Sequence, residues 1–523
     1  MKILVALTFL FIGLVAHASA ASAPQGNVNG YEAGQNALNT ALNRSINQKR
    51  GAAKNVILFV GDGMSIATVT AARIYEGQSM GLSGEEHNLA FDDFPFAGLS
   101  RTYNTDAQTP DSAGTMTAMV TGVKTRMGVL GVGPEVARDD CAGQAANELM
   151  SIATMAELAG KRTGMISTAR ITHATPAALY AHSVNRDWES DVDLSPEAVA
   201  EGCQDIASQL VNYVERVTAT FGKPIDGPEL TWGGGAANFL PAGLEDTFGF
   251  TGRRADGRNL VQEWLDQSPK ASFVSDRQGL MALTQDQLPS LGLFAASHLS
   301  YDADRIKKSA DEPSLAAMTS KAIELLDNEQ GFFLMVESGR IDHAHHAGSA
   351  AGALSDTVAL SEAVAVAREL TSDKDTLIIV TADHSHVMTM AGYPKRGNPI
   401  LGKVVPVGSD EVVLADDGLP YTTLSYGNGR GFANVENETN ADARYGLPIA
   451  AGRHDHSKID TEAFGYHQEA LVPLKAETHG GDDVAIYASG PGAHLLSGSL
   501  EQNVIFHVMH YMAGLPEAGS YQR

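Results

Sequence analysis

The chain has 523 residues, 43% of them hydrophobic, enough apolar sequence to bury a large core and to exclude a disordered polypeptide. Asp and Glu outnumber Lys and Arg by 62 to 37, a net charge of −25 that argues against nucleic acid or an anionic membrane surface as the main partner. An anionic substrate would need local positive charge, from cations or an arginine, to offset that field.

Met1-Lys2, the apolar run Ile3 to Val15 and the small-x-small pattern Ala18-Ser19-Ala20 predict a signal peptide over residues 1–20. That run is too short for a comfortable membrane span, and no later stretch reads as long and apolar enough to be one. The expectation is an exported protein, periplasmic or extracellular, without a membrane anchor. Residues 21–52 read as an N-terminal arm. Cys141 and Cys203 are the two cysteines, and an even count in an exported chain favours one disulfide over two buried thiols.

The first buried strand is Lys54 to Val60, broken by Gly61-Asp62-Gly63-Met64, with Ser65 placed to cap a helix through Ala72. The same order recurs. Thr163 to Ser167 leads to His173, Gly331 to Met335 leads to Glu337, and Thr376 to Val380 leads to Asp383-His384. Helical patterns lie between, at Ala145 to Leu158 and Leu354 to Leu370. This alternation predicts an α/β fold, a central mostly parallel sheet with helices on both faces, whose ligands bind beyond the carboxyl ends of the strands. From Met388 to Leu474 the texture turns to Gly, Pro, Asn and Asp with short strand candidates such as Glu411 to Leu414. The expected organisation is a main α/β domain over 53–387 and 475–523, with 388–474 an irregular insertion.

The acidic and histidine groups fall at strand ends. Asp342 and His346, four apart, share one face if the turn is helical. With His479 they make one set of three donors; Asp62, Asp383 and His384 make another. Three protein ligands with a position left open is the pattern of catalytic zinc, and two cysteines are too few for a thiolate site. An all-oxygen site of Asp62, Thr175 and Glu337 suits magnesium. His386 reads as a residue orienting a ligand carboxylate, or as an ordinary loop histidine. Ser112 stands near a helix start, where backbone N–H groups favour an anion. Alone it is more simply a capping serine; beside a cation it has the position of a nucleophile.

Taken together, Gly61-Asp62-Gly63-Met64, Asp111-Ser112-Ala113, His173-Ala174-Thr175-Pro176, Arg186, Glu337 through His346, Thr381-Ala382-Asp383-His384 and Thr478-His479-Gly480 resemble the alkaline phosphatase family, in order along nearly the whole chain. Arg340-Ile341-Asp342-His343, Leu419 to Gly429 and the placement of the cysteines resemble its animal-like branch, whose crown insertion would be residues 388–474. The resemblance implies two zinc ions and one magnesium ion per subunit on the residues sorted above, phosphorylation of Ser112 and an Arg186 clamp on the phosphoryl oxygens. It implies that His173 and His343 tune the magnesium site and phosphate release. It further implies a homodimer acting on small phosphomonoesters at alkaline pH. Ala295 stands where animal relatives carry an acid of a calcium site, so no calcium is expected. A phosphodiesterase or sulfatase of related fold is the enzymatic alternative, although no Cys/Ser-x-Pro-x-Arg pattern surrounds Ser112. A non-catalytic zinc-sequestering protein, using His343, His345, His346, His454, His456 and His467, is the alternative from another class.

Overall fold

Long apolar runs become a buried sheet in the computed structural model, which describes residues 52–244 and 249–516. The signal peptide over 1–20 and the arm over 21–52, except its last residue, lie outside the described residues. Ten strands form the main sheet: β1 (Asn55–Gly61), β2 (Phe96–Arg101), β3 (Arg162–Arg170), β4 (Leu230–Gly234), β5 (Ser272–Val274), β6 (Ser290–Leu293), β7 (Phe332–Ser338), β8 (Thr376–Thr381), β9 (Val484–Ser489) and β10 (Gly498–Glu501). Their order is β10-β2-β9-β8-β1-β7-β3-β4-β6-β5. Among the described residues, every neighbouring pair in it is parallel except the two that involve β9.

Every residue of β1, β7 and β8 is buried, as a parallel sheet covered on both faces requires. Alternate residues of β1 face opposite layers: Val56, Leu58 and Val60 enter one core, Ile57 and Phe59 the other. Helices α1 (Ile66–Ser79), α2 (Ser112–Thr121), α3 (Leu315–Leu326), α4 (Arg340–His346), α5 (Ala350–Leu370) and α6 (Val504–Met512) supply the covering layers. α2 and α6 pack on the first core; α1, α3 and α5 pack on the second.

Several sequence expectations are corrected. Ser65 does cap α1, accepting from Thr68 N–H, but the helix runs on to Ser79 because Ile74 and Gly77 continue its buried face. The helix expected over Ala145 to Leu158 is broken into a 3₁₀ turn, Ala145–Asn147, and a helix, Ile152–Leu158. Ser151 starts the latter by accepting from Thr154 N–H, a local cap that outcompetes a continuous helix. Glu411 to Leu414 form no strand; Leu414 makes a single bridge to Pro420. α5 is long and apolar enough to cross a membrane, contrary to the expectation that no such stretch follows the leader, but 72% of its apolar window is buried in the protein. Its hydrophobicity serves the core.

The segment 388–474 carries its own small sheets. Met388–Met390, Leu424–Gly429 and Ala470–Pro473 form one, Ala433–Asn434 and Tyr466–His467 another. Buried Arg444 organises the loops between them, donating to the carbonyls of Gly431, Arg430 and Pro448. Cys141 and Cys203 are joined, 62 residues apart. A loop of that length stabilises by about 4 kcal/mol on the chain-entropy account.

At the amino end of β3, away from the strand ends that carry the acidic motifs, Thr163 holds two buried carboxyl groups. Its N–H donates to Glu229 Oε2 (2.7 Å) and its Oγ1 to Glu157 Oε1 (2.5 Å). Burial pushes Glu229 up to about 8 and Glu157 well above the usual range. Glu229 thus binds its proton more tightly folded than unfolded, and stability is lost as pH rises from the ordinary glutamate value through about 8. E229Q is expected to raise the Tm relative to the parent at pH 9 and to change it little at pH 4. A difference independent of pH between variant and parent would contradict this.

Candidate active site

β8, β1, β7 and β3 are adjacent and end together: Val60 of β1 stands level with Glu337 on one side and Thr381 on the other. Asp62 follows β1, Glu337 lies near the end of β7, Asp383 and His384 follow β8, and His173 follows β3. The acidic and histidine motifs therefore leave the sheet at one mouth.

α4 begins directly after β7, and its helical spacing sets His346 Nε2 3.3 Å from Asp342 Oδ1. His479 arrives on a short antiparallel pairing with His386, which puts its Nε2 3.2 Å from His346 Nε2 and 3.4 Å from Asp342 Oδ1. His346 Nδ1–H donates to the Glu477 carbonyl (2.6 Å) and His479 Nδ1–H to the Pro110 carbonyl (2.8 Å). The two Nε2 atoms then confront each other as lone pairs, an arrangement that calls for a cation between them. Asp342, His346, His386 and His479 each present a donor atom within 4.8 Å of the others.

Asp62, Asp342 and His384 form a second such group. His384 Nε2 lies 3.4 Å from Asp62 Oδ1 and 3.3 Å from Asp383 Oδ2. Neither Asp62 oxygen, nor Asp383 Oδ2, has a hydrogen-bond partner, although all are buried. Burial, and then repulsion from neighbouring carboxylates, pushes Asp62 well above the usual range; burial raises Asp383 as well. Asp62, His173 and Glu337 form a third group. Burial pushes Glu337 up to about 7, Ser167 Oγ donates to its Oε2, and its Oε1 is orphaned, as is Thr175 Oγ1. Unpaired buried oxygens at this density are costly in an empty site and are what divalent cations satisfy. The residues present fit such ions.

Ser112 is the first residue of α2, with Asp111 as its cap. Ser112 is buried, and its Oγ lies 3.1 Å from His384 Nε2, within reach of the second group. Asp111 Oδ1 accepts from Gly114 and Gly128 N–H, and its Oδ2 from Arg186 Nη1 at 3.0 Å. Against the pull of burial, Arg186 and these amides hold the Asp111 carboxyl below its usual range. Arg186 Nη2 lies 3.2 Å from His173 Nε2, so the guanidinium stands between the serine's cap and the third group.

The residues read from the sequence as catalytic or metal-binding gather at this mouth, but the second donor group holds Asp342 where Asp383 was expected, and none of the three groups includes His343. It lies in α4 with its Nδ1 3.1 Å from Arg340 Nη1, and its ring is 5.5 Å from that of His173. Spacing does not reveal Asp111 as the anchor of Arg186, Ser167 as the donor to Glu337, or Glu477 as the partner of His346. Glu477 stands two residues before His479 and Asp111 one before Ser112; proximity to a motif is the only signal they give.

The family model described as alkaline phosphatase matches residues 53–515. The chain is 44% identical over 489 residues to tissue-nonspecific alkaline phosphatase of Gallus gallus, spanning 92% of this chain and 88% of that one. It is 42% identical over 489 residues to alkaline phosphatase of Gadus morhua, spanning 92% and 95%. The solved structure of Thermus thermophilus alkaline phosphatase matches the fold with a TM-score of 0.62 at 23% identity, over 90% of this chain and 94% of that one.

Proposed function

The chain belongs to the alkaline phosphatase family, and from that premise we propose how its metal-dependent hydrolysis of phosphate monoesters is divided among the residues at the mouth of the sheet. Asp342, His346 and His479 hold one zinc ion, Asp62, Asp383 and His384 a second, and Asp62, Thr175 and Glu337 a magnesium ion. Bound there, the cations supply charge that favours the ionised serine and offsets charge on the phosphoryl oxygens. Ser112 Oγ attacks phosphorus in line; its bond to phosphorus forms as the bond to the alcohol oxygen breaks, and the alcohol leaves with a proton. Water then cleaves the phosphoserine, releasing inorganic phosphate and restoring the hydroxyl. Arg186 presents a planar fork to two phosphoryl oxygens, and Asp111 fixes its direction. The transition state spreads its charge over these oxygens, so positioning and electrostatics carry the acceleration. The serine loses its proton more readily as pH rises, which accords with an alkaline optimum.

The observation that supports this reading best is the 3.1 Å approach of Ser112 Oγ to His384 Nε2, beside carboxylate oxygens that have no other partner. The test is metal analysis with p-nitrophenyl phosphate turnover before and after chelation. Chelation should abolish turnover, and zinc with magnesium should restore it; a metal-free protein at full rate overturns the reading. R186K, which replaces a fork by a point charge, should lower kcat/KM by about 10- to 100-fold, the worth of one charge-assisted hydrogen bond. Unchanged kcat/KM would remove Arg186 from the phosphoryl site.

The same reading makes the protein an exported homodimer, in the periplasm or the medium. The disulfide fits an oxidising compartment. On the insertion, Tyr393, Val407 and Leu471 are 93%, 82% and 77% exposed, apolar surface that a second subunit would bury. Light scattering of the purified protein tests this.

A further inference from the structure

Asn104 is a buried amide that the proposed chemistry does not use. It is 3% exposed, and its Oδ1 accepts from Asp111 N–H at 2.9 Å. Asp111 is buried too and caps α2, so no carbonyl within that helix can receive this N–H. The Asp111 carboxylate is fully engaged: its Oδ1 accepts from Gly114 and Gly128 N–H, and its Oδ2 from Arg186 Nη1. Gly128 closes the frame, since its carbonyl accepts from Arg186 N–H at 2.9 Å. Arg186 is therefore tied by its backbone and by its guanidinium to one unit, and Asn104 grips that unit at Asp111.

Asn104 is itself held firmly. Its N–H and carbonyl both pair with Ala107, at 3.1 and 3.3 Å, which closes a tight turn. That turn is bound to the loop 125–128 twice: Thr105 N–H donates to the Thr125 carbonyl (3.0 Å), and Asp106 Oδ1 accepts from Met127 N–H (2.9 Å). The amide lies against the first turn of α2, where an added Cβ on Gly114 would stand 2.2 Å from Asn104 Nδ2. Glycine at 114 is what admits it.

We propose that Asn104 is a positioning residue that fixes Asp111 and, through it, aims the Arg186 fork at the phosphoryl oxygens. The inference rests on the role proposed above for Arg186. Asn104 belongs to none of the three donor groups. Without its Oδ1 the Asp111 N–H loses its acceptor, and the carboxylate that shifts with that backbone carries the guanidinium off line. The phosphoryl group is then held less well, while the cations stay.

The test compares the metal-loaded parent with N104A, R186A and N104A/R186A, using p-nitrophenyl phosphate turnover, inhibition by inorganic phosphate and metal analysis. N104A should lower kcat/KM about 10-fold or more, since a misplacement of about 1 Å can cost about 100-fold. Its inhibition constant for phosphate should rise by a similar factor, with zinc and magnesium content unchanged. In the R186A background, where there is no fork to aim, adding N104A should cost less than about 2-fold. N104A that costs the same factor with and without Arg186, or keeps parental kcat/KM, overturns the inference. So does N104A that loses zinc, because the residue would then act through Pro110, whose carbonyl holds His479. G114A, which pushes the Asn104 amide aside with a methyl group, carries the same expectations should N104A fail to fold. If R186A keeps parental kcat/KM, the clamp assigned to Arg186 fails; if R186A falls and N104A does not, only the role given to Asn104 fails.

Discussion

Replacing Ser112 by alanine is expected to lower kcat on p-nitrophenyl phosphate by about 10³-fold or more, while the zinc and magnesium content of the protein stays as it was. The size of the effect follows from removing the group that forms the covalent intermediate, since the donors around it cannot substitute for a nucleophile. The unchanged metal content follows from the geometry: Asp111, and not Ser112, caps α2 and anchors Arg186, so the serine hydroxyl can go without disturbing either. The side chain removed is small and its one hydrogen-bonding neighbour among the described residues is His384, so folding should survive. S112A with parental turnover would remove Ser112 from the mechanism. S112A with lost zinc would show the hydroxyl to be a structural ligand instead.

The second large effect is expected at Asp62, the one residue shared by the second and third donor groups. D62N should remove more than one ion per chain and lower kcat by about 10³-fold or more, because two clusters lose a common carboxylate. Its effect on the metal-free fold has the opposite sign. Burial and neighbouring carboxylates raise the Asp62 pKa in the folded state, so its ionised form opposes folding, and stability is lost as pH rises through the raised value. The chelated D62N protein should therefore melt at a higher temperature than the chelated parent at pH 8. Metal analysis and paired melting curves decide the matter. A chelated variant that melts lower than its parent would mean that Asp62 is satisfied by something other than cations.

The strand-end motifs were legible because their local physics is simple. β1, β7 and β8 carry unbroken apolar runs, each followed within three residues by an acid, and a parallel sheet must bury such runs and expose their ends to one side. Asp342 and His346 were legible as a pair because α4 is helical where the spacing asks for a helix. The partners of these residues were not. Which carbonyl receives His479 Nδ1–H depends on Pro110, 369 positions away, and no periodicity carries that information. The break at Ala145 to Leu158 was hidden for a related reason: the helical pattern is real, but Ser151 offers its backbone a competing local bond. In 388–474 the order comes from Arg444 binding carbonyls, a contact that depends on the path of the chain and not on side-chain pattern.

β9 is reversed in a sheet otherwise parallel, so it starts at the end where β8 stops: Ile486 pairs with Thr381. His479 consequently reaches the mouth ahead of a strand, whereas Asp62, Glu337 and Asp383 come at the ends of theirs. On the ribosome, this histidine is the last donor of the cluster to be made. A nascent chain can lay down Asp342, His346 and His386 and still lack the residue that completes their donor group.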